Sequence, residues 1–227
     1  MTFPKEEMKN IHLIGGEISL DQNGIEATPG LTAIVSDVTI SDNISSLSEN
    51  MLEDDTKAAF DTDGNLLPMK VEYLKSGDGI NTVDEVVETK EIPMKIVSVT
   101  VDYKNNGKTA LSNVMFNGGI ALLAEYGENM QFDAYMNEKP GTGDTWDCVN
   151  EESIGFSREV YLSDVHGGER HNNYINTINP GETVTVRMAF KVPEEKLNEM
   201  YFTLSNYGGS HFYDETSLQL GYVDIRQ

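Results

Sequence analysis

The sequence predicts an all-β fold, an antiparallel β-sandwich with one or two short helices and an inserted segment. Three observations carry this prediction. Apolar and polar residues alternate in two long runs, turn motifs separate the apolar runs, and helical periodicity is almost absent. Because successive side chains of a strand point to opposite faces, period-two alternation indicates a strand with one buried face. Many short strands separated by turns are typical of sandwiches and barrels.

The two clearest strands are predicted at residues 95–103 and 183–192. In the first strand, Ser98, Thr100 and Asp102 share the polar face, which is predicted to be exposed to solvent. Both runs are rich in β-branched residues, which suit a pleated surface. The predicted buried faces comprise Val97, Val99, Val101 and Tyr103 in the first strand and Val184, Val186, Met188, Phe190 and Val192 in the second. We expect these two faces to meet across a shared core.

Weaker patterns predict further strands at residues 33–40, 69–74, 120–126, 201–205 and 218–225. The run at 120–126 is apolar on both faces, as a central strand would be. In the last run the apolar phase changes at Gly221, which predicts a β-bulge.

Turns and helices are predicted from their local motifs. Asn179-Pro-Gly181 fits a type II turn, with the glycine at positive φ. Further turns are predicted at Asn105-Asn-Gly107, Asp63-Gly64 and Asp78-Gly79. A helix of one or two turns is predicted at 193–200, which begins with proline and two glutamates. A second is predicted within 46–60, with Leu47 and Met51 facing inward.

The chain is strongly acidic, with 38 acidic and 16 basic residues and a formal net charge of −22. Such a surface repels phosphate groups, so we expect no nucleic-acid partner. The single cysteine, Cys148, excludes an intrachain disulfide. No apolar stretch reaches the roughly 18 residues of a membrane helix, so we expect no direct membrane insertion. The first ten residues lack the apolar region of a signal peptide, which leaves a cytosolic protein or one whose signal segment is absent from this sequence.

One motif carries a family resemblance. Asn179-Pro-Gly-Glu182 precedes an alternating strand that ends in Phe190-Lys-Val-Pro193, and Glu-Glu-Lys-Leu follows. Together with the strand at 97–106, this pattern resembles the telokin-like, immunoglobulin-like domains of unknown function found in secreted lipoproteins of Gram-positive bacteria. The resemblance implies an immunoglobulin-like sandwich, an extracellular cell-surface location, a possible lipid anchor upstream, and a binding or spacer role without catalytic residues.

We interpret residues 1–227 as a single domain. Residues 31–44 and 93–227 form its predicted immunoglobulin-like core, residues 1–30 an N-terminal extension, and residues 45–92 an insertion. Its predicted binding surface is the aromatic loop 206–213 that joins the last two strands, together with Trp146 in the loop 138–152. The candidate residues are Trp146, Tyr207, His211, Phe212 and Tyr213. Aromatic rings on such loops stack on sugars or anchor peptides, or alternatively they plug the open end of the core.

Asp61, Asp63 and Asn65 form the candidate calcium site, because clustered carboxylate and amide oxygens suit this cation. Gly64 lies at the fourth position of this motif, whereas the EF-hand loop requires glycine at the sixth. A plain turn before the next strand is the alternative interpretation. No other cofactor is predicted.

Two groups of residues contain the side chains of a catalytic or metal site but lack the pattern that such a site needs. Cys148 with His166 or His171 contains the groups of a cysteine hydrolase, but Cys148 lies in a predicted loop with no helix after it. His166, Glu169 and His171 lack the helical spacing of a zinc motif. We therefore expect a non-catalytic binding or adaptor domain with a protein or carbohydrate partner at the cell surface. A calcium-dependent carbohydrate-binding module and a cysteine hydrolase are the alternatives.

Overall fold

The computed structural model describes residues 2–21, 28–52, 54–116, 118–132, 145–148, 162–163, 174–204 and 220–227, and these are mostly strands. In chain order the strands are β1 (Thr2–Pro4), β2 (Ile11–Leu13), β3 (Glu17–Ser19), β4 (Leu31–Ser41), β5 (Met69–Lys75), β6 (Glu85–Ile92), β7 (Met94–Asn105), β8 (Leu111–Met115), β9 (Gly119–Tyr126), β10 (Asn129–Phe132), β11 (Thr145–Cys148), β12 (Leu162–Ser163), β13 (Tyr174–Ile178), β14 (Thr183–Pro193), β15 (Met200–Thr203) and β16 (Tyr222–Asp224). An α-helix spans Asp54–Ala58, and 3-10 helices span Lys5–Glu7, Ile44–Ser46, Glu49–Met51 and Glu194–Glu199.

Two main sheets pack face to face and confirm the predicted β-sandwich. One has the strand order β12-β14-β7-β4-β3 and the other the order β1-β10-β9-β15-β16-β2. Neighbouring strands are antiparallel except β16 and β2, which run parallel. A single cluster of buried side chains draws on both sheets. Across it, the rings of Phe190 on β14 and Phe202 on β15 meet edge to face, with their centroids 6.0 Å apart.

The two strands predicted most clearly lie side by side in the first sheet. β7 and β14 pair antiparallel along their whole length, from Thr183 opposite Lys104 to Pro193 opposite Met94. All four apolar residues of the predicted face of β7 are buried, and so are four of the five on β14, with Val184 partly buried. The two predicted half-buried strands are therefore confirmed. The expectation that their apolar faces meet across the core is wrong, because the strands are neighbours in one sheet and both faces point to the same side of it.

The opposite face of β7 differs from the prediction of a wet side. Ser98 is buried there, although it was expected to face solvent. The segment between β4 and β5 covers this part of the sheet, because Met51 packs in a small cluster with Ile96 and Ala189, against which Leu47 also packs. Alternation shows which residues share a face, but it does not show whether another segment covers that face.

The six-stranded sheet is also buried on its outer face. Ala121 and Leu123 of β9 lie in a separate buried cluster with Tyr201 and Tyr222, while the alternate residues of β9 belong to the main core. Apolar residues on both faces of 120–126 therefore indicate a central strand, as predicted. The Arg226 guanidinium group lies 4.9 Å from the centre of the Tyr201 ring.

Two local predictions are corrected. The helix predicted within 46–60 is divided, because Leu47 and Ser48 take extended conformations between short helices. Gly221 does not form a bulge within a strand. It precedes β16 with a φ of +89°, and a Cβ at this position would overlap the backbone oxygen of Asn10. Close approach of another backbone explains this glycine.

The turn at Asn179–Glu182 has the predicted conformation. Gly181 has a φ of +77°, and the Glu182 amide donates to the Asn179 carbonyl at 2.9 Å. The Glu182 carboxylate in turn accepts from the backbone and side-chain nitrogens of Asn179, at 2.7 and 2.8 Å. The helix predicted at 193–200 is the 3-10 helix Glu194–Glu199, with Pro193 preceding it.

Candidate functional site

Most of the residues predicted to bind a ligand lie outside the described part of the chain. These residues are Tyr207, His211, Phe212 and Tyr213. His166, Glu169 and His171 lie outside it as well. The proposal of an aromatic end loop therefore stays a prediction.

Trp146 and Cys148 were predicted to lie in a loop, and the structure corrects this. Both belong to β11, which pairs antiparallel with β5 so that Trp146 is opposite Tyr73 and Cys148 is opposite Val71. The four residues of β11 are too few to show alternation, so the surrounding glycines dominated the sequence pattern. No described helix begins at Cys148, and a helix N-terminus is the feature that usually activates a catalytic thiol.

The candidate calcium residues form a tight, internally hydrogen-bonded turn. Oδ1 of Asp61 accepts from the backbone amides of Asp63 and Asn65 at 2.9 and 2.8 Å, and Oδ2 accepts from the Asn65 side chain at 3.3 Å. These bonds, the one from the Asn65 amide foremost, lower the pKa of the Asp61 carboxyl. Both carboxylate oxygens of Asp61 therefore already accept hydrogen bonds within the turn.

No group of three or more histidine, cysteine, aspartate or glutamate side chains comes together as a metal site in the described ranges. Calcium binding stays a prediction, and the geometry of the turn favours the alternative interpretation. The same described ranges contain no helix that is long and apolar enough to cross a bilayer.

A different candidate surface is a hairpin that extends from the sandwich, which we call the arm and define as residues 69–92. It consists of β5, the tip 76–84 and β6, and β11 adds a third strand on the far side of β5. Its base is anchored in the main core by Met69, Val71 and Ile92, which are all buried. Beyond the base, residues 85–91 of β6 are exposed on both faces.

Hydrogen bonds to one carboxylate hold the tip of the arm in a single conformation. Oδ1 of Asp78 accepts from the backbone amides of Ile80, Asn81 and Thr82 at 2.9, 2.7 and 2.9 Å. The Asp78 amide donates to Oγ1 of Thr82 at 2.8 Å. Three amide donors, with that of Ile80 first, hold the pKa of the Asp78 carboxyl far below its usual range. The carboxylate is therefore charged at every physiological pH.

This ordered tip and the adjoining strand present apolar side chains to solvent. Ile80 and Val83 are each 88% exposed, and Val86 and Val87 are each 48% exposed. A single exposed apolar residue is ordinary, but four within eight residues form a patch, and such patches mark interaction surfaces. A patch on an ordered turn also loses little conformational freedom on binding.

A cleft of about 430 Å³ lies at the base of the arm, lined in part by Asn65 and Glu91. Within it, Nζ of Lys95 lies 2.9 Å from Oδ2 of Asp42 and 3.5 Å from Oε1 of Glu194. The bond with Asp42 is the main cause of a raised pKa for Lys95 and a lowered pKa for Asp42. This cluster joins the end of β4, the start of β7 and the 3-10 helix after β14, beside the base of the arm.

A second cleft, of about 640 Å³, lies between the edge strands β2 and β3 of the two main sheets. Nε2 of His12 lies 3.0 Å from the carbonyl oxygen of Leu220 there. Since a carbonyl oxygen only accepts, this nitrogen carries the proton. The cleft is polar, with Glu17 and Asp21 in its lining.

Sequence reasoning missed the arm as a site because its segment was interpreted only as an insertion. One feature of the sequence could have indicated this surface. Val83, Val86 and Val87 follow the predicted Asp78-Gly79 turn within an otherwise charged stretch. These valines do not alternate as a half-buried strand would, so the sequence assigned them no place in the predicted core, which is a reason to examine them as a surface.

Comparisons with known proteins identify no family. No family model matches the chain, and no curated protein matches it. Among solved structures, the chain is similar to an uncharacterized β-sandwich protein from Clostridium difficile 630, with 12% identity over 88% of this chain and 89% of that one and a TM-score of 0.35. The fold class rests on the strands and sheets of this chain itself.

Proposed function

We propose that this chain is an extracellular, non-catalytic binding or adaptor domain whose partner contacts the arm. One observation carries the proposal: Ile80 and Val83 are almost fully exposed on a tip that Asp78 holds in place. A folded domain gains nothing in stability from apolar side chains in water, so their fixed presentation supports a role in binding.

The cell-surface part of the proposal draws on the sequence. The motif at residues 179–197 resembles the telokin-like, immunoglobulin-like domains of secreted Gram-positive lipoproteins. On that basis the domain is held outside the cell, with a possible lipid anchor upstream, and its partner is a protein or carbohydrate of the cell surface. The net charge of −22 disfavours nucleic acids as partners.

The test is retention of the fluorescently labelled protein on intact Gram-positive cells, followed by flow cytometry. An Ile80→Asp/Val83→Asp double variant removes the apolar tip. A Leu13→Asp/Tyr126→Asp double variant makes the matched change at two residues that are 72% and 69% exposed elsewhere. We expect the tip variant to lose at least about fivefold of the retained signal and the control variant to lose less than about twofold, since exposed apolar anchors dominate binding energy.

Both variants change only exposed residues, so their circular dichroism spectra and melting temperatures should match those of the unmodified protein. If the unmodified protein is not retained on the cells, or if the two double variants lose signal equally, the proposal is wrong.

A further inference from the structure

The outer edge of β6 is a second feature of the arm. β6 is the terminal strand of the order β11-β5-β6, and no described strand pairs with its outer side. Residues 85–91 are exposed on both faces. The outer side of an edge strand carries a row of backbone N–H and C=O groups, which is a template for pairing with another strand.

The residues of this edge strand carry a net negative charge. β6 carries Glu85, Glu88 and Glu91 against a single lysine, Lys90, whose Nζ lies 3.4 Å from Oε1 of Glu88. The strand also contains an irregularity, because Tyr73 pairs with Glu88 and Leu74 with Val86, which leaves Val87 as the extra residue. Charged side chains and bulges are the devices by which proteins prevent indiscriminate edge pairing.

Charge decides which strand could pair here. A second copy of this chain would bring another net −2 strand and a total charge of −22 to the same edge, so self-pairing is opposed. An acidic or neutral strand gains no compensating attraction. Glu85 and Glu88 share one face of the sheet, because they pair with Lys75 and Tyr73, while Val86 pairs with Leu74 on the other face. A strand with lysine or arginine opposite Glu85 and Glu88 gains favourable cross-strand pairs, while the exposed Val86 offers a contact to its apolar residues.

We propose that β6 accepts an extended, basic segment of a partner protein as a fourth strand of the arm sheet. Main-chain hydrogen bonds along β6 hold the segment, its basic residues pair with Glu85 and Glu88, and its apolar residues contact Val86 on the opposite face. This is strand addition to an exposed sheet edge, in which side chains supply the specificity. The inference rests on the proposed binding function of the arm and names its class of partner.

The probe is a synthetic twelve-residue peptide of alternating valine and lysine, measured by fluorescence anisotropy at physiological salt. Its matched control carries an N-methyl group on every backbone amide, which keeps the charge but removes the hydrogen-bond donors from both edges of the peptide. Binding to β6 predicts at least a tenfold weaker affinity for the methylated peptide. Equal affinity for the two peptides would reduce the interaction to charge attraction and overturn the inference, and so would a failure of the unmodified peptide to bind.

The protein side of the test uses charge reversal. A Glu85→Lys/Glu88→Lys variant should lose at least tenfold of its affinity for the peptide. A Glu6→Lys/Glu128→Lys variant, with the same change in net charge near the β1–β10 edge, should lose less than threefold. Equal losses overturn the inference. If cell retention depends on the tip residues but the peptide fails these tests, the proposed function stands and the strand-addition inference falls.

Discussion

Asn105 ends β7 with a buried side-chain amide that joins three parts of the chain. Its Nδ2 donates to the carbonyl oxygens of Thr109 and Ile178, both at 2.9 Å, and its Oδ1 accepts from the Gly107 amide at 2.8 Å. Leucine at this position would leave the buried Ile178 carbonyl without this donor, and an unsatisfied buried group costs about 1–3 kcal/mol. We expect Asn105→Leu to lower the free energy of unfolding by about 3 kcal/mol in urea denaturation.

The adjacent Asn106 is exposed and provides the control. Its Nδ2 makes one hydrogen bond, to Oγ1 of Thr32 at 2.9 Å. Asn106→Ala should therefore cost less than about 1.5 kcal/mol in the same experiment. Equal losses at the two positions would show that burial of the Asn105 amide is unimportant.

Asp61 provides a prediction about calcium. Because both of its carboxylate oxygens accept hydrogen bonds within the turn, a cation would have to displace them. A ligand that binds only the folded state raises the melting temperature. We expect millimolar calcium to raise the melting temperature by less than about 1 °C. A shift of several degrees that Asp61→Ala abolishes would restore the calcium-dependent interpretation.

The sequence predicted some single-residue features but not others. The positive φ of Gly181 follows from the local motif alone, because proline and glycine restrict the turn type. The role of Asn105 depends on Ile178, 73 positions later in the chain, and no local pattern indicates that contact. The same reason explains Gly221, whose Cβ position is occupied by the backbone of Asn10.

At the scale of elements, the tip of the arm is a small unit that one side chain organises. Asp78→Ala removes the acceptor for the amides of Ile80, Asn81 and Thr82. We expect hydrogen exchange at these three amides to become at least about tenfold faster, since local protection reflects local hydrogen bonds. The melting temperature should change by less than about 2 °C, because the tip lies outside the core. Unchanged exchange would mean that the tip is ordered by something other than Asp78.

The ion cluster at the base of the arm makes a prediction about pH. Lys95 lowers the pKa of Asp42 in the folded state, so the unfolded chain takes up this proton first as the pH falls. The stability that Asp42 contributes is complete above its ordinary pKa of 3.8 and is lost as the pH falls through the lower folded value. Asp42→Asn should therefore melt at a lower temperature than the unmodified protein near neutral pH, and the difference should disappear in strong acid. A difference that stays constant across this range would contradict the role of the ion pair.

Elements were predictable where apolar and polar side chains alternate along the strand. β7 and β14 alternate because each places one face in the core, whereas β4 alternates only loosely because its register shifts between Val35 and Asp37. β6 was not predicted because residues 85–91 are exposed on both faces, so burial does not produce an alternating pattern in this strand. Alternation reports burial, and the part of β6 beyond the base of the arm lacks that signal.

At the scale of the whole molecule, two sheets share one core and each carries a further buried cluster on its outer face. The existence of a buried core followed from the two alternating strands, but the sheet that faces them did not, since β7 and β14 are neighbours in one sheet. The outer clusters did not, because their burial depends on which distant segments cover each face. The arm is then a surface built on a fixed body, with its base in the shared core and its tip and edge in solvent.

The shared core makes a prediction about coupling between the sheets. Phe190 and Phe202 lie on different sheets with their rings in edge contact, and both are buried. Each alanine variant should lower the free energy of unfolding by about 3–5 kcal/mol. In a double-mutant cycle the two losses should be coupled by about 0.5–1.5 kcal/mol, because the contact is lost only once.

Phe3 provides the control for this cycle, because it belongs to the buried cluster on the outer face of the six-stranded sheet and lies three strands away from Phe202 in that sheet. Strands are spaced about 4.8 Å apart, so the two rings do not meet. Losses at Phe3 and Phe202 should therefore add to within about 0.5 kcal/mol. If the losses at Phe190 and Phe202 were equally additive, the two sheets would not be packed against each other through these rings. The description of the sandwich from which the arm extends would then be incorrect.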